Sequence, residues 1–128
     1  VPFEQITRAQ YARMQAINVD APFFLTQGLL EPLRAAGDAL VVHLTDIAAD
    51  RPMSRHAHYS MSKASLEMLT RALTVELAPG VRVCSIAPGV VAFPESWDEE
   101  MRQRVLQRVP LRRSRHPSAP AEPGRELV

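Results

Sequence analysis

The sequence has one cysteine, Cys84, one tryptophan, Trp97, and five glycines. A single cysteine excludes an internal disulfide and any multi-cysteine metal site, and the histidines do not follow metal-ligand spacing. Long apolar runs are absent as well. The longest, such as Ala39 to Leu44, fall far short of the roughly 20 residues of a bilayer-spanning helix. Excess charge of one sign is also missing: 15 Lys+Arg against 14 Asp+Glu leave a net +1. Only Arg112, Arg113 and Arg115 form a basic cluster, so neither nucleic acid nor a membrane is an expected partner. The chain starts at Val1; the expectations are a fragment or processed product, no signal peptide, and a reducing, cytoplasmic setting. Glycines at 28, 37, 80, 89 and 124 are not spaced as a turn that brings backbone against a dinucleotide pyrophosphate.

What is present is globular: 46% hydrophobic and 23% charged residues over 128 positions suit one domain at most. From Thr7 to about Ala36, apolar residues such as Met14, Ile17, Ala21, Leu25 and Leu29 recur at helical spacing, and Gly37-Asp38 ends the run. This predicts one long helix disturbed once, at Pro22, which has no N–H to return to the Asn18 carbonyl. Ala39 to Thr45 predicts a strand buried on both faces, Ile47 to Ala57 a loop, and His58 to Ala78 a second helix. That helix carries two apolar stripes, Leu66, Leu69, Leu73 and Leu77 on one side and Met61, Ala64, Met68, Ala72 and Val75 on the other. Val81 to Ala87 predicts a second buried strand, and Ser96 to Leu106 a third helix with Ser96 as N-cap. Two strands joined by a helix of this length must be parallel, so the expected class is α/β, a partial doubly wound, Rossmann-like sheet.

Tyr59 and Lys63 are four apart on the second helix and share a face. An ammonium beside a phenol favours the phenolate, lowering the tyrosine pKa from about 10 toward a range useful for proton transfer. Alone, that spacing equally describes an exposed helix face with a lysine reaching into water. Position adds weight: Asp46 stands where the first strand ends, Pro88-Gly89 where the second ends, and open α/β sheets bind ligands outside those carboxyl ends. Asn18, with its carbonyl released by Pro22, is a further candidate. Asp46 could otherwise be a loop or N-cap aspartate. His43 reads as a satisfied core histidine, His58 as a loop-end residue, Cys84 as a small hydrophobe and Trp97 as lid or packing.

Asn18 in Asn-Val-Asp-Ala-Pro-Phe-Phe, Asp46, Tyr59-Ser-Met-Ser-Lys63 and Pro88-Gly89-Val90-Val91 together resemble the short-chain dehydrogenase/reductase family over roughly residues 5 to 112. The resemblance implies Tyr59 as general acid or base, Lys63 also holding the nicotinamide ribose, an Asn18 carbonyl binding a relay water, and Pro88, Gly89 and Val90 beside the nicotinamide. Most members have serine at position 46. The aspartate, with Pro94-Glu95, is similar to the pteridine reductases, which implies NADPH as cofactor and a pterin or dihydropterin as small-molecule substrate. A carbonyl compound such as a 3-oxoacyl thioester is the rival. It further implies that residues 1–111 are the C-terminal catalytic half of the domain, lacking its N-terminal half and last strand, with 112–128 an irregular or disordered tail. In this family the 58–78 helix packs between subunits, implying a dimer or tetramer. Two strands with unpaired edges are expected to be weakly stable alone, and the chain without its phosphate loop could instead be an inactive fragment or self-association module.

Overall fold

In the computed structural model, which describes residues 1–88 and 98–107, the chain divides into two units, Val1–Pro88 and Gly89–Val128. The first unit opens with a short 3₁₀ turn and then α1 (Arg8–Gln15). Thr7 and Gln10 cap α1 reciprocally: the Thr7 hydroxyl accepts from the Gln10 N–H at 3.2 Å, and the Gln10 side chain accepts from the Thr7 N–H at 2.9 Å.

The predicted long helix is interrupted twice rather than once. Ala16–Asp20 form a π turn, in which the Ala21 N–H reaches back to the Ala16 carbonyl. Pro22 follows in the first turn of α2 (Ala21–Gly28), where a missing N–H does least harm. The second break, at Leu29, separates α2 from α3 (Leu30–Ala35). Pro32 is its cause in physical terms, because it can give no hydrogen bond to Gly28 four residues back. Gly37 then adopts φ 75°, the left-handed backbone that ends a helix run at little cost to glycine.

β1 (Ala39–Leu44) and β2 (Val81–Ile86) pair in parallel with Ala39 opposite Val81 and Leu44 opposite Ile86. The crossover between them is α4 (Ala57–Leu77), which confirms the expected α/β order and the parallel sheet. The strands depart from expectation in one respect: only the face toward α4 is covered. There Ala39, Leu77, Val81 and Val83 form the core, with Leu30, Leu33, Val41 and Leu73 against it. On the opposite face Leu40, Val42, Leu44 and Ile86 are exposed, and Cys84 is exposed beside them, because no described element lies over that side.

Polar side chains fix how α4 sits on the sheet. Lys63, Glu67, Thr70 and Thr74 recur at intervals of four, three and four, so they form one stripe. Each reaches a strand: Lys63 Nζ donates to the Leu44 carbonyl at 2.8 Å, and Glu67 accepts from Ser85 Oγ at 3.0 Å. Thr70 Oγ1 meets His43 Nδ1 at 2.9 Å, and Thr74 Oγ1 donates to the Val83 carbonyl at 3.0 Å. His43 is buried, and its Nε2 has no partner, so this core histidine is only half satisfied. Burial lowers its pKa, opposed in part by Glu67, and the neutral ring is favoured.

In the second unit, α5 (Glu99–Leu106) starts at Asp98, whose carboxylate accepts from the Met101 N–H at 2.7 Å. Asp98 thus takes the capping role expected of Ser96, which lies outside the described residues, as does the 112–128 tail. Among the described residues no helix is long and apolar enough to cross a membrane.

A core this small leaves little reserve. Leu66, 4% exposed, is expected to cost about 2–5 kcal/mol when cut to alanine, which rivals the whole stability of a small domain. Glu76, exposed on the same helix, should tolerate alanine within about 0.5 kcal/mol. Urea titration followed by circular dichroism compares them; equal losses at the two positions would contradict the packing described.

Candidate active site

The carboxyl ends of the two strands stay together one residue beyond the ladder, because the Thr45 N–H donates to the Ile86 carbonyl at 2.9 Å. Asp46 follows directly, with extended backbone, and its carboxylate serves two partners. Oδ1 accepts from the Ala48 N–H at 2.8 Å, capping the 3₁₀ turn Ile47–Ala49, and Oδ2 accepts from the Tyr59 hydroxyl at 2.6 Å. Asp46 thus caps the turn, as one reading expects, and lies beside Tyr59 at the same time. The cap removes rotamer freedom from the carboxylate and leaves its second oxygen aimed at the phenol.

Tyr59 lies in the first turn of α4 and is half-buried. Lys63, one turn on, places its ammonium 5.8 Å from the centre of the Tyr59 ring while bonding the Leu44 carbonyl. The spacing predicts a phenol made more acidic by this lysine; the structure shows the opposite. Burial, then the hydrogen bond to Asp46 and the negative charge of that carboxylate, push the Tyr59 pKa well above its usual value. The ammonium sits near the ring rather than at the phenol oxygen, and Asp46 is the nearer charge. The result is a phenol that keeps its proton and shares it with a carboxylate in a short O–H···O hydrogen bond.

Asn18 lies in the π turn, half-buried, with its side chain turned toward α4: Nδ2 donates to Ser62 Oγ at 3.0 Å and approaches Met14 Sδ at 3.2 Å. Ser62 Oγ in turn donates to the Tyr59 carbonyl at 2.8 Å. So Asp46, Tyr59 and Lys63 are brought together directly, and Asn18 joins them through Ser62, a residue the motif reading passes over. Its only sequence signal is a small hydroxyl residue three after Tyr59, where it can bond back to that carbonyl. Pro88 follows β2 at the same end of the sheet, while Gly89, Val90, Pro94, Glu95 and Trp97 lie outside the described residues. His58 is half-buried on α4 rather than loop-exposed, and its Nδ1 has no partner.

Residues 1–123 match a family model described as enoyl-(acyl carrier protein) reductase. The dihydromonapterin reductase of Enterobacter sp. (strain 638) is 40% identical over 99 residues, which cover 76% of this chain and 41% of that protein. Among solved structures, FolM alternative dihydrofolate reductase 1 from Brucella suis, in complex with NADP, superposes with a TM-score of 0.80 at 29% identity, over 89% of this chain and 46% of that one. A 7α-hydroxysteroid dehydrogenase complexed with NADH and 7-oxo glycochenodeoxycholic acid gives 0.84 at 28% identity, over 91% and 47%. The chain thus spans less than half the length of the relatives it matches.

The Tyr59 phenol, followed by ultraviolet difference titration in a Tyr11→Phe background, is expected to ionise above about pH 10. Asp46→Asn keeps an acceptor for Ala48 but removes the charge, and should bring the midpoint back toward that value. Linkage fixes the effect on stability. A phenol whose pKa is raised in the folded state stabilises the fold fully below about pH 10 and loses that contribution as pH climbs through the folded value. Melting temperature should accordingly fall across this alkaline window, and Tyr59→Phe should flatten the fall; an unaltered slope in that variant would contradict the assignment.

Proposed function

The chain belongs to the short-chain dehydrogenase/reductase family of NAD(P)-dependent oxidoreductases, and on that premise we propose that the intact protein reduces a pterin or dihydropterin-like heterocycle with NADPH, Tyr59 supplying a proton. The observation that carries the reading is the 2.6 Å hydrogen bond from Tyr59 to Asp46. The dihydromonapterin reductase and FolM relatives support the pterin class, and the NADP held by the Brucella suis structure supports the cofactor.

The residues fit the nicotinamide-ribose end of such a cofactor. Lys63 spends one of its three ammonium donors on the Leu44 carbonyl, at the carboxyl end of β1 where open α/β sheets take ligands. Lys63 and Tyr59 would hold the ribose hydroxyls, and Pro88, with Gly89 and Val90 outside the described residues, would lie against the nicotinamide. The glycine spacing needed at the pyrophosphate does not occur in these 128 residues. When bound, the cofactor supplies the hydride.

The chain's own residues handle the proton. Tyr59 carries it at neutral pH, as any phenol does, and burial and Asp46 hold it more tightly than usual. The phenol donates to the substrate, and the Lys63 ammonium offsets the charge that then forms on the ring. Asp46 orients the phenol and, after taking up a proton from solvent, can pass it to a ring nitrogen, which the family's usual serine could not do as an acid. The Asn18 carbonyl, without an N–H from Pro22, is available to a relay water. Residues 1–111 then constitute the C-terminal catalytic half of the domain.

The intact protein, assayed with NADPH, should turn over dihydrobiopterin or dihydrofolate in preference to a 3-oxoacyl thioester. Tyr59→Phe should lower turnover about 10²–10⁴-fold. Reduction of the thioester with no turnover of either pterin would overturn the reading in favour of carbonyl reduction.

A second reading rests on the outer stripe of α4. Met61 (55%), Met68 (60%) and Val75 (80%) are exposed, with Ala64 and Ala72 between them, and exposed apolar patches of this kind mark association surfaces. We propose that a second copy covers this face, giving a dimer or tetramer. The 128-residue chain would then self-associate even if it fails to bind NADPH. Sedimentation should show an oligomer that Met68→Lys converts to monomer; a monomeric parent chain at micromolar concentration would exclude it.

A further inference from the structure

Ser62 connects the Asn18 turn to the Tyr59 helix and is completely closed to solvent, at 0% exposure. Its hydroxyl has one donor and two lone pairs. The donor goes to the Tyr59 carbonyl at 2.8 Å, and a lone pair accepts from Asn18 Nδ2 at 3.0 Å. Asn18 and Ser62 are 44 positions apart in sequence, so this is a tertiary link between the π turn and the second turn of α4.

We infer that Ser62 is a positioning residue that holds the Asn18 turn and Tyr59 in a fixed relation. At 0% exposure there is no room for water to stand in for its hydroxyl. Removing the hydroxyl leaves the Asn18 amide and the Tyr59 carbonyl each short of one partner. The π turn compounds the effect. Its widened backbone ladder and Pro22 leave Asn18 with fewer main-chain constraints than a residue inside an α-helix, so the side-chain anchor carries more of the positioning. Asp46 is fixed separately by its bond to Ala48. Movement of Tyr59 therefore changes the Tyr59–Asp46 distance instead of carrying Asp46 along.

The inference deepens the reading of Tyr59 as proton donor and rests on it for its purpose, but its test needs neither substrate nor cofactor. Tyrosine labelled with ¹³C at Cζ reports the ionisation of Tyr59 by NMR in the full 128-residue chain. Ser62→Ala and Asn18→Ala are each expected to lower the Tyr59 midpoint, because a loosened phenol is better solvated and farther from Asp46. The double alanine variant should shift no further than the larger single one. A folded Ser62→Ala protein with an unmoved midpoint, or additive shifts in the double variant, would overturn the assignment. If Ser62→Ala does not fold, the half-buried Asn18→Ala decides alone: an unmoved midpoint there also overturns it. Loss of pterin turnover in the parent protein with this coupling intact would remove the catalytic reading and leave the positioning role standing.

Discussion

The placement of everything else in this molecule depends on the register of α4 against its two strands. A helix laid on a sheet by leucines alone can slide, since apolar contact is non-directional. Here Glu67 meets Ser85, Thr70 meets His43 and Thr74 meets the Val83 carbonyl, each within 3.0 Å. Hydrogen bonds of this kind add only about 0.5–1.5 kcal/mol each, yet a slip of one turn would leave all of them unmade in a partly dry interface. The ladder therefore selects one register, and that register delivers Tyr59 opposite Asp46 and Lys63 to the last carbonyl of β1.

Given that placement, the site follows from two local devices. Asp46 is immobilised by its own turn, so a flexible carboxylate becomes a fixed acceptor. Asn18 is presented by a π turn that Pro22 makes compatible with the following helix, and it is tied to α4 through Ser62. The proton balance differs from a simple lysine-activated tyrosine. Burial and the Asp46 carboxylate both oppose ionisation of the phenol, which favours a protonated Tyr59 over a phenolate.

How far the sequence disclosed this varies with the kind of signal. Ala39–Leu44 and Val81–Ile86 were legible because continuous β-branched runs bounded by Gly-Asp and Pro-Gly leave few alternatives, and α4 because its periodicity extends over five turns. The break at Leu29 was not, since Pro32 acts four residues upstream of itself and the apolar spacing continues across it. The exposed outer face of the sheet was misjudged for a different reason: a run such as Leu40-Val41-Val42 records that both faces are apolar, not that both are covered in this chain. Proximity of Asp46, Tyr59 and Lys63 could be inferred from strand ends and helix spacing. The direction of the Tyr59 shift could not, because it turns first on how deeply the phenol is buried and then on the hydrogen bond and charge of Asp46, neither of which spacing encodes.

The claim on which this account turns is that the Tyr59 proton is held between the phenol and the Asp46 carboxylate. Proton NMR of the chain at neutral pH examines that bond directly, because a hydroxyl proton in a short O–H···O hydrogen bond resonates far downfield of the amides. The account predicts one such signal, lost in both Tyr59→Phe and Asp46→Asn and retained in Lys63→Met. Its absence from a folded chain, or its persistence in Asp46→Asn, would contradict it.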